Sequence, residues 1–274
     1  MAKKSDRLGH KCASVADHVA QPSDATLLLG VVLFMATPRH KLQRILSSHQ
    51  GATWVLTGDS ITQGALHTSG WRSYPEHFME RVRWELRRKS DTVINTGTSG
   101  DTTDGLLRHL EHRVLRFSPD VTSIMIGMND CLSGRKGRED FRRNLLGLVD
   151  AIEAKASLPL LHTTNPVCSS ADNLRKDLPH YVEIIREVAI QRKIMLVDHY
   201  DHWITQDQKQ PDVFRRWLDP DGVHPDARGH CELAKLFFVK LGIFDPASPT
   251  GTLCTKGPVT ERSNRHGLDV ATST

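Results

Sequence analysis

Trp54-Val55-Leu56-Thr57-Gly58-Asp59-Ser60-Ile61 is the stretch on which the reading of this chain turns. Trp54 to Thr57 is short, apolar and rich in residues that suit a pleated surface, as expected of a strand covered on both faces. Gly58 permits a tight turn, which leaves Ser60 at the mouth of a following helix. A strand that feeds a helix in this way is half of a βαβ unit.

The same alternation continues outward from that stretch. Strands are predicted at Trp54 to Thr57, Thr92 to Asn95, Val121 to Ile126, Leu158 to His162 and Ile194 to Val197. Apolar residues three and four apart predict helices at Tyr74 to Arg88, Thr102 to Phe117, Arg138 to Ala156, Leu178 to Arg192 and Asp226 to Leu241. Strands that alternate with helices make an α/β fold, here a three-layer α/β/α sandwich around a five-stranded parallel sheet. The expected domain runs from 52 to 245. Residues 1 to 24 read as a flexible segment, 25 to 51 as an apolar and helical appendage, and 246 to 274, rich in Pro, Gly, Ser and Thr, as a disordered tail.

Bulk composition is that of a soluble globular protein: 274 residues, 38% hydrophobic and 25% charged. A formal charge of +4 falls short of the concentrated basic stripe that nucleic acid needs, so no nucleic-acid partner is expected. Arg81, Arg83, Arg87, Arg88 and Lys89 read as a solvated helix face. Cys12, Cys131, Cys168, Cys231 and Cys254 lack paired CxxC spacing, which argues against a zinc ribbon and for buried thiols. Cys131 and Cys168 each follow a strand and could lie near one another at one end of the sheet. The apolar run Ala25 to Ala36 is too short to span a bilayer, so no stable membrane insertion is expected. It fits an added helix or the apolar part of a targeting signal. Asp6, Asp17 and Asp24 ahead of it favour the first reading and a cytoplasmic location; the second would mean secretion.

Four segments start at the carboxyl ends of strands, where a parallel sheet gathers its functional loops. They are Thr57 to Gly64 with Ser60, Asn95 to Thr102 with Gly97 and Gly100, Gly127 to Asp130 with Asn129, and Asp221-Gly222-Val223-His224-Pro225. The last carries a carboxylate three residues before an imidazole. A serine, a histidine and an aspartate that can converge are the parts of an activated nucleophile. A backbone amide at Gly100 and the Asn129 side chain are neutral donors suited to a developing anion. Asp59, Asn95 and Asp130 read as supports of these turns.

In order and in flanking residues these four blocks resemble those of the SGNH hydrolase superfamily, the GDSL esterases and lipases, over Trp54 to Phe244. The resemblance implies that Ser60, in a GDSI variant of the first block, is the nucleophile. It implies an oxyanion hole formed by Ser60, Gly100 and Asn129, with Asp221 and His224 completing the triad. It further implies a flavodoxin-like sheet of order 2-1-3-4-5 and a serine esterase that needs no cofactor.

Other chemistries lack their signatures: there is no G-x-S-x-G elbow, P-loop or G-x-G-x-x-G. His109 with His112 and His199 with His202 have metal-compatible spacings but sit in no zinc motif, so no metal is expected. Ala65 to Pro75 holds His67, Trp71, Arg72 and Tyr74, which suit either a face for a sugar or a solvent-covered loop. No long apolar insertion suggests a lipase lid. A small-molecule or carbohydrate ester is therefore the expected partner, and a short-chain acetylesterase the expected activity. The alternatives are a lysophospholipase or thioesterase of the same family and, from another class, a non-catalytic binding module. Oligomeric state is left open.

Overall fold

The computed structural model describes residues 37–64, 66–168 and 173–256; the expectations for Ala25 to Ala36, Cys12 and the last eighteen residues lie outside these. In chain order the elements are α1 (Pro38–Ser47), β1 (Thr53–Gly58), α2 (Ser60–Gln63), α3 (Tyr74–Glu80), β2 (Thr92–Asn95), α4 (Thr103–Arg108), α5 (Leu110–Arg113), β3 (Val121–Met125), α6 (Arg138–Ala154), β4 (Leu158–His162), α7 (Leu178–Arg192), β5 (Met195–Val197), α8 (His199–Lys209), α9 (Ala227–Leu241) and α10 (Pro249–Lys256). The five strands form one all-parallel sheet of order β2-β1-β3-β4-β5.

Central strands are apolar because helices cover both faces. β3 and β4 are buried throughout, and β1 is buried after its first residue. Helices α4, α6 and α7 pack together as one layer, while α3, α8 and α9 form the other. Trp54, Phe78 and Phe237 meet between the sheet and the second layer, Trp54 edge-on to Phe78 and Phe78 stacked on Phe237. Each such fully buried side chain contributes about 1.5–3 kcal/mol.

Three segments differ from expectation. Tyr74 to Arg88 is not one regular helix, since α3 passes at Arg81 into a π-helical turn, Arg81–Glu85. Thr102 to Phe117 is broken at His109 into α4, α5 and a 3-10 turn. α10 stands inside the segment whose composition suggested disorder. It is held by tertiary contact, with Glu85 accepting hydrogen bonds from the Thr250 amide and hydroxyl, each 2.7 Å.

The basic cluster also divides. Arg81 is buried, donating to the Ile243 carbonyl and pairing with Glu85. Arg88 grips Asp91 and donates to the carbonyls of Leu46 and Ser48. Asp91 in turn accepts from the Trp54 indole and the Ala52 amide, so Arg88 braces the start of β1. Cys131 and Cys168 are buried thiols that no disulfide joins.

Candidate active site

Gly58 ends β1 with φ at 155°, in a space where a Cβ would lie 2.0 Å from the Met125 carbonyl oxygen. Only glycine lets β1 leave the sheet so close to β3. Asp59 then caps α2, its carboxylate accepting from the Ile61 amide at 3.0 Å. This places Ser60 in the first turn of α2, 8% exposed. Burial pushes the Asp59 carboxyl up to about 7, with Asp130 and Asp101 adding to the rise against the Ile61 amide.

The other half of the site is built on the turn before α9, with His224 164 residues after Ser60. An antiparallel bridge, Leu218 to Pro225, closes its base, and the Asp219 amide donates to the His224 carbonyl. Asp221 shapes the turn with one oxygen, which accepts from the amides of Val223 (2.8 Å) and His224 (3.0 Å). Its second oxygen lies 2.5 Å from His224 Nδ1. Asn165, past the end of β4, ties the turn to the sheet by donating to the Val223 carbonyl.

The two halves meet. Ser60 Oγ lies 2.7 Å from His224 Nε2. Burial alone would raise Asp221, but hydrogen bonds from the His224 ring and from the His224 and Val223 amides bring it below the ordinary carboxylate range. Ionised Asp221 accepts the Nδ1 proton, which leaves Nε2 as the acceptor for the serine hydroxyl. Burial lowers the His224 pKa while Asp221 opposes the shift, so the ring is neutral at neutral pH.

Gly100 and Asn129 come to the same corner from the loops after β2 and β3. Gly100 has φ at 76°, a conformation that favours glycine, and nothing lies within 4 Å of the position a Cβ would take. Asn129 donates through Nδ2 to the Asp101 carbonyl at 2.9 Å, which fixes the amide and leaves its second N–H available. Asn95 holds α2 by donating to the Thr62 carbonyl, and Asp130 accepts from the amide and hydroxyl of Thr103. All five residues singled out from sequence thus line one edge of the sheet.

Beside this corner opens a cleft of about 750 Å³, lined among others by His67, Trp71, Arg215, Arg216, Asp219 and Arg228. The segment Ala65 to Pro75 divides there. Trp71 is 46% exposed on the cleft, whereas Tyr74 is fully buried, its hydroxyl 3.0 Å from Thr62 Oγ1 and its amide donating to His230. Arg72 faces Glu80. His67 was legible only as one polar residue in this segment, yet its ring stacks on His224. Among the described residues, His67, Asp221 and His224 are grouped closely enough to share a cation, but Asp221 and His224 are already joined by their own hydrogen bond. Of the histidine pairs with metal-compatible spacing, His199 is buried against His162 and His202 faces Glu232.

The sequence profile of the GDSL-like lipase and acylhydrolase family matches residues 56–231. An acetylxylan esterase of Geobacillus stearothermophilus is 27% identical over 216 residues, which cover 70% of this chain and 94% of that protein. The crystal structure of a catalytic mutant of an acetylxylan esterase from the same organism superposes with a TM-score of 0.60 at 23% identity, covering 70% of this chain and 95% of that one. An alpha/beta hydrolase from the metagenome of Lake Arreo, Spain, gives a TM-score of 0.60 at 22% identity over 73% of this chain and 98% of its own. The profile runs from within β1 to the first turn of α9, the span that carries Ser60 and His224, and the parallel sheet has the order that the resemblance implied. The chain belongs to the GDSL-like lipase and acylhydrolase family of the SGNH hydrolase superfamily, and is a carboxylic ester hydrolase.

Proposed function

We propose that the protein removes short acyl groups, acetyl first among them, from a carbohydrate or similar polar alcohol, through an acyl-enzyme on Ser60. The observation that carries this reading is the continuous chain from Ser60 Oγ through His224 to Asp221, at 2.7 and 2.5 Å, beside an open cleft of mixed polar and apolar lining.

In the first half-reaction His224 Nε2 takes the Ser60 proton as Oγ attacks the ester carbonyl. Asp221 holds the ring and balances its positive charge. The amides of Ser60 and Gly100 and the second N–H of Asn129 receive the oxyanion, each such donor being worth about 3 to 4 kcal/mol. His224 then passes its proton to the leaving alcohol. In the second half a water attacks the acyl group with His224 again as base, and Ser60 is regenerated.

The substrate class is supported by the cleft. An exposed indole offers a flat face for a sugar ring, and guanidinium and carboxylate groups around it suit hydroxyls. It also agrees with the acetylxylan esterase relative. The test is hydrolysis of p-nitrophenyl esters from acetate to decanoate, followed by acetylated oligosaccharides. Turnover of acetate is expected to be fastest and to fall by at least about four decades in Ser60→Ala. Preference for the longest chain would overturn the acetylesterase reading, and full activity in Ser60→Ala would overturn the site.

A further inference from the structure

His67 lies outside the triad and outside the family's four blocks, yet it makes the tightest ring contact at the site. Its imidazole stacks on that of His224 with centroids 3.5 Å apart and planes 1° from parallel. Its Nδ1 is 3.5 Å from Asp219 Oδ2 and 3.9 Å from Asp221 Oδ2, and its side chain is 21% exposed. The backbone that carries it is specialised: Leu66, Ser69 and Gly70 all have left-handed φ, at 63°, 51° and 84°. Hydrogen bonds from the Ser69 amide to the Leu66 carbonyl and from the Trp71 amide to the Thr68 carbonyl close this short loop. Two non-glycine residues held in that region cost free energy that the surroundings must offset.

We propose that His67 is a positioning residue: its ring face holds His224 in the plane defined by Ser60 and Asp221 and stabilises the imidazolium that forms on His224 during acyl transfer. The proposal rests on the serine-esterase reading of the site. Asp221 and Ser60 restrain His224 at its two nitrogens, and two such points alone leave tilt about the line between them. A parallel ring at van der Waals distance removes that tilt and shields one face from water. When His224 becomes a cation, the electron-rich face of a neutral His67 lies against it, the arrangement of a cation–π contact. The stacking works only while His67 is neutral. Asp219 and Asp221 lie against the Nδ1 edge of His67, and a positive charge on His67 would hinder protonation of His224. Arg175 and His230 are the other titratable groups that sense this pair; Arg175 disfavours a charge on His224, and His230 feels both rings.

The experiment is steady-state hydrolysis of p-nitrophenyl acetate across pH by the wild-type protein and by His67→Ala, His67→Phe and His224→Ala, with thermal melts to confirm folding. His67→Ala is expected to lower kcat about tenfold with KM within twofold, the range a desolvated cation–π contact spans. His67→Phe keeps the aromatic face and loses the ring nitrogens. It is expected to recover kcat to within about threefold of wild type, with the acid limb moved to higher pH because His67 no longer lowers the His224 pKa. Wild-type kcat in His67→Ala overturns the proposal. Equal loss in Ala and Phe overturns it too, since stacking would then not be the property that matters, and so does a rise in KM alone, which would place His67 in substrate binding. Undiminished turnover in His224→Ala would instead sink the serine-esterase reading on which the proposal rests.

Discussion

Among the described residues two serine–histidine chains run through this protein, and only one of them reaches the open edge of the sheet. Ser60, His224 and Asp221 meet at the open edge of the sheet. Ser123 on β3, His162 on β4 and His199 at the start of α8 repeat the arrangement inside the core, with Ser123 Oγ 2.8 Å from His162 Nε2 and His162 Nδ1 3.0 Å from His199 Nε2. Hydrogen-bond distance therefore does not distinguish a reactive serine from an inert one. What differs is the end of each chain. The first ends in an ionised carboxylate, which supports a proton arriving on His224. The second ends in a neutral ring whose Nδ1 has no hydrogen-bond partner among the described residues. Burial pushes His162 down to about 3 and His199 lower than its usual value, so neither can take the serine proton near neutral pH. There is also no room for a substrate beside Ser123, which is 1% exposed.

The sharpest way to break this contrast is to give the open chain a neutral end. Asp221→Asn keeps the shape of the turn but removes the charge, and with it the reason Nδ1 carries the proton. A fall of about four decades in kcat is expected, read from p-nitrophenyl acetate turnover at neutral pH. A loss of less than tenfold would mean that the carboxylate is not what separates the two chains.

The converse change belongs in the core. Ser123→Ala is expected to leave kcat and KM unchanged while lowering stability by about 1–3 kcal/mol, the penalty for stranding a buried histidine nitrogen. Urea unfolding checks the second part. Any large loss of activity with stability intact would show that the buried chain takes part in the reaction.

The last expected effect concerns Asp59, whose carboxyl is pushed up to about 7 from an ordinary 3.8. The folded chain holds this proton more tightly than the unfolded chain does. That contribution to stability is complete below about pH 4 and is lost as pH rises through about 7. Asp59→Asn keeps an acceptor for the Ile61 amide without titrating. Relative to this variant the wild type is expected to lose stability between pH 5 and 8, measured by urea melts at both. The buried histidines His162 and His230 push the other way below neutral pH, but they do so in both proteins and cancel in the difference. A pH-independent difference would contradict the raised value.

Much of the sheet was legible because each strand is a short apolar run bounded by a turn. The five predicted strands match those found to within a residue or so at their ends. The four blocks at the strand ends were legible for a related reason: their residues act through neighbours two or three positions away, as Asp59 does with Ile61 and Asp221 with His224. α8 was missed because HYDHWITQDQK buries only His199 and Trp203, too few for a periodic signal. α10 was missed because its composition argues against a helix and its hold, Glu85, lies 165 residues away. The same limit hid His67, whose role depends on a ring 157 positions later, and the bracing done by Arg81 and Arg88.

Ser60 follows the first strand and His224 follows the last, 164 residues apart along the chain. Neither half of the domain holds a complete site, so a nascent or partly refolded chain lacks a working nucleophile however much of its sheet has formed. Closing so long a loop comes late and costs chain entropy that only the assembled domain offsets. The return of ester hydrolysis after dilution from denaturant is therefore a clock for the final docking of the α9 turn against β1, and is expected to lag the recovery of helical signal.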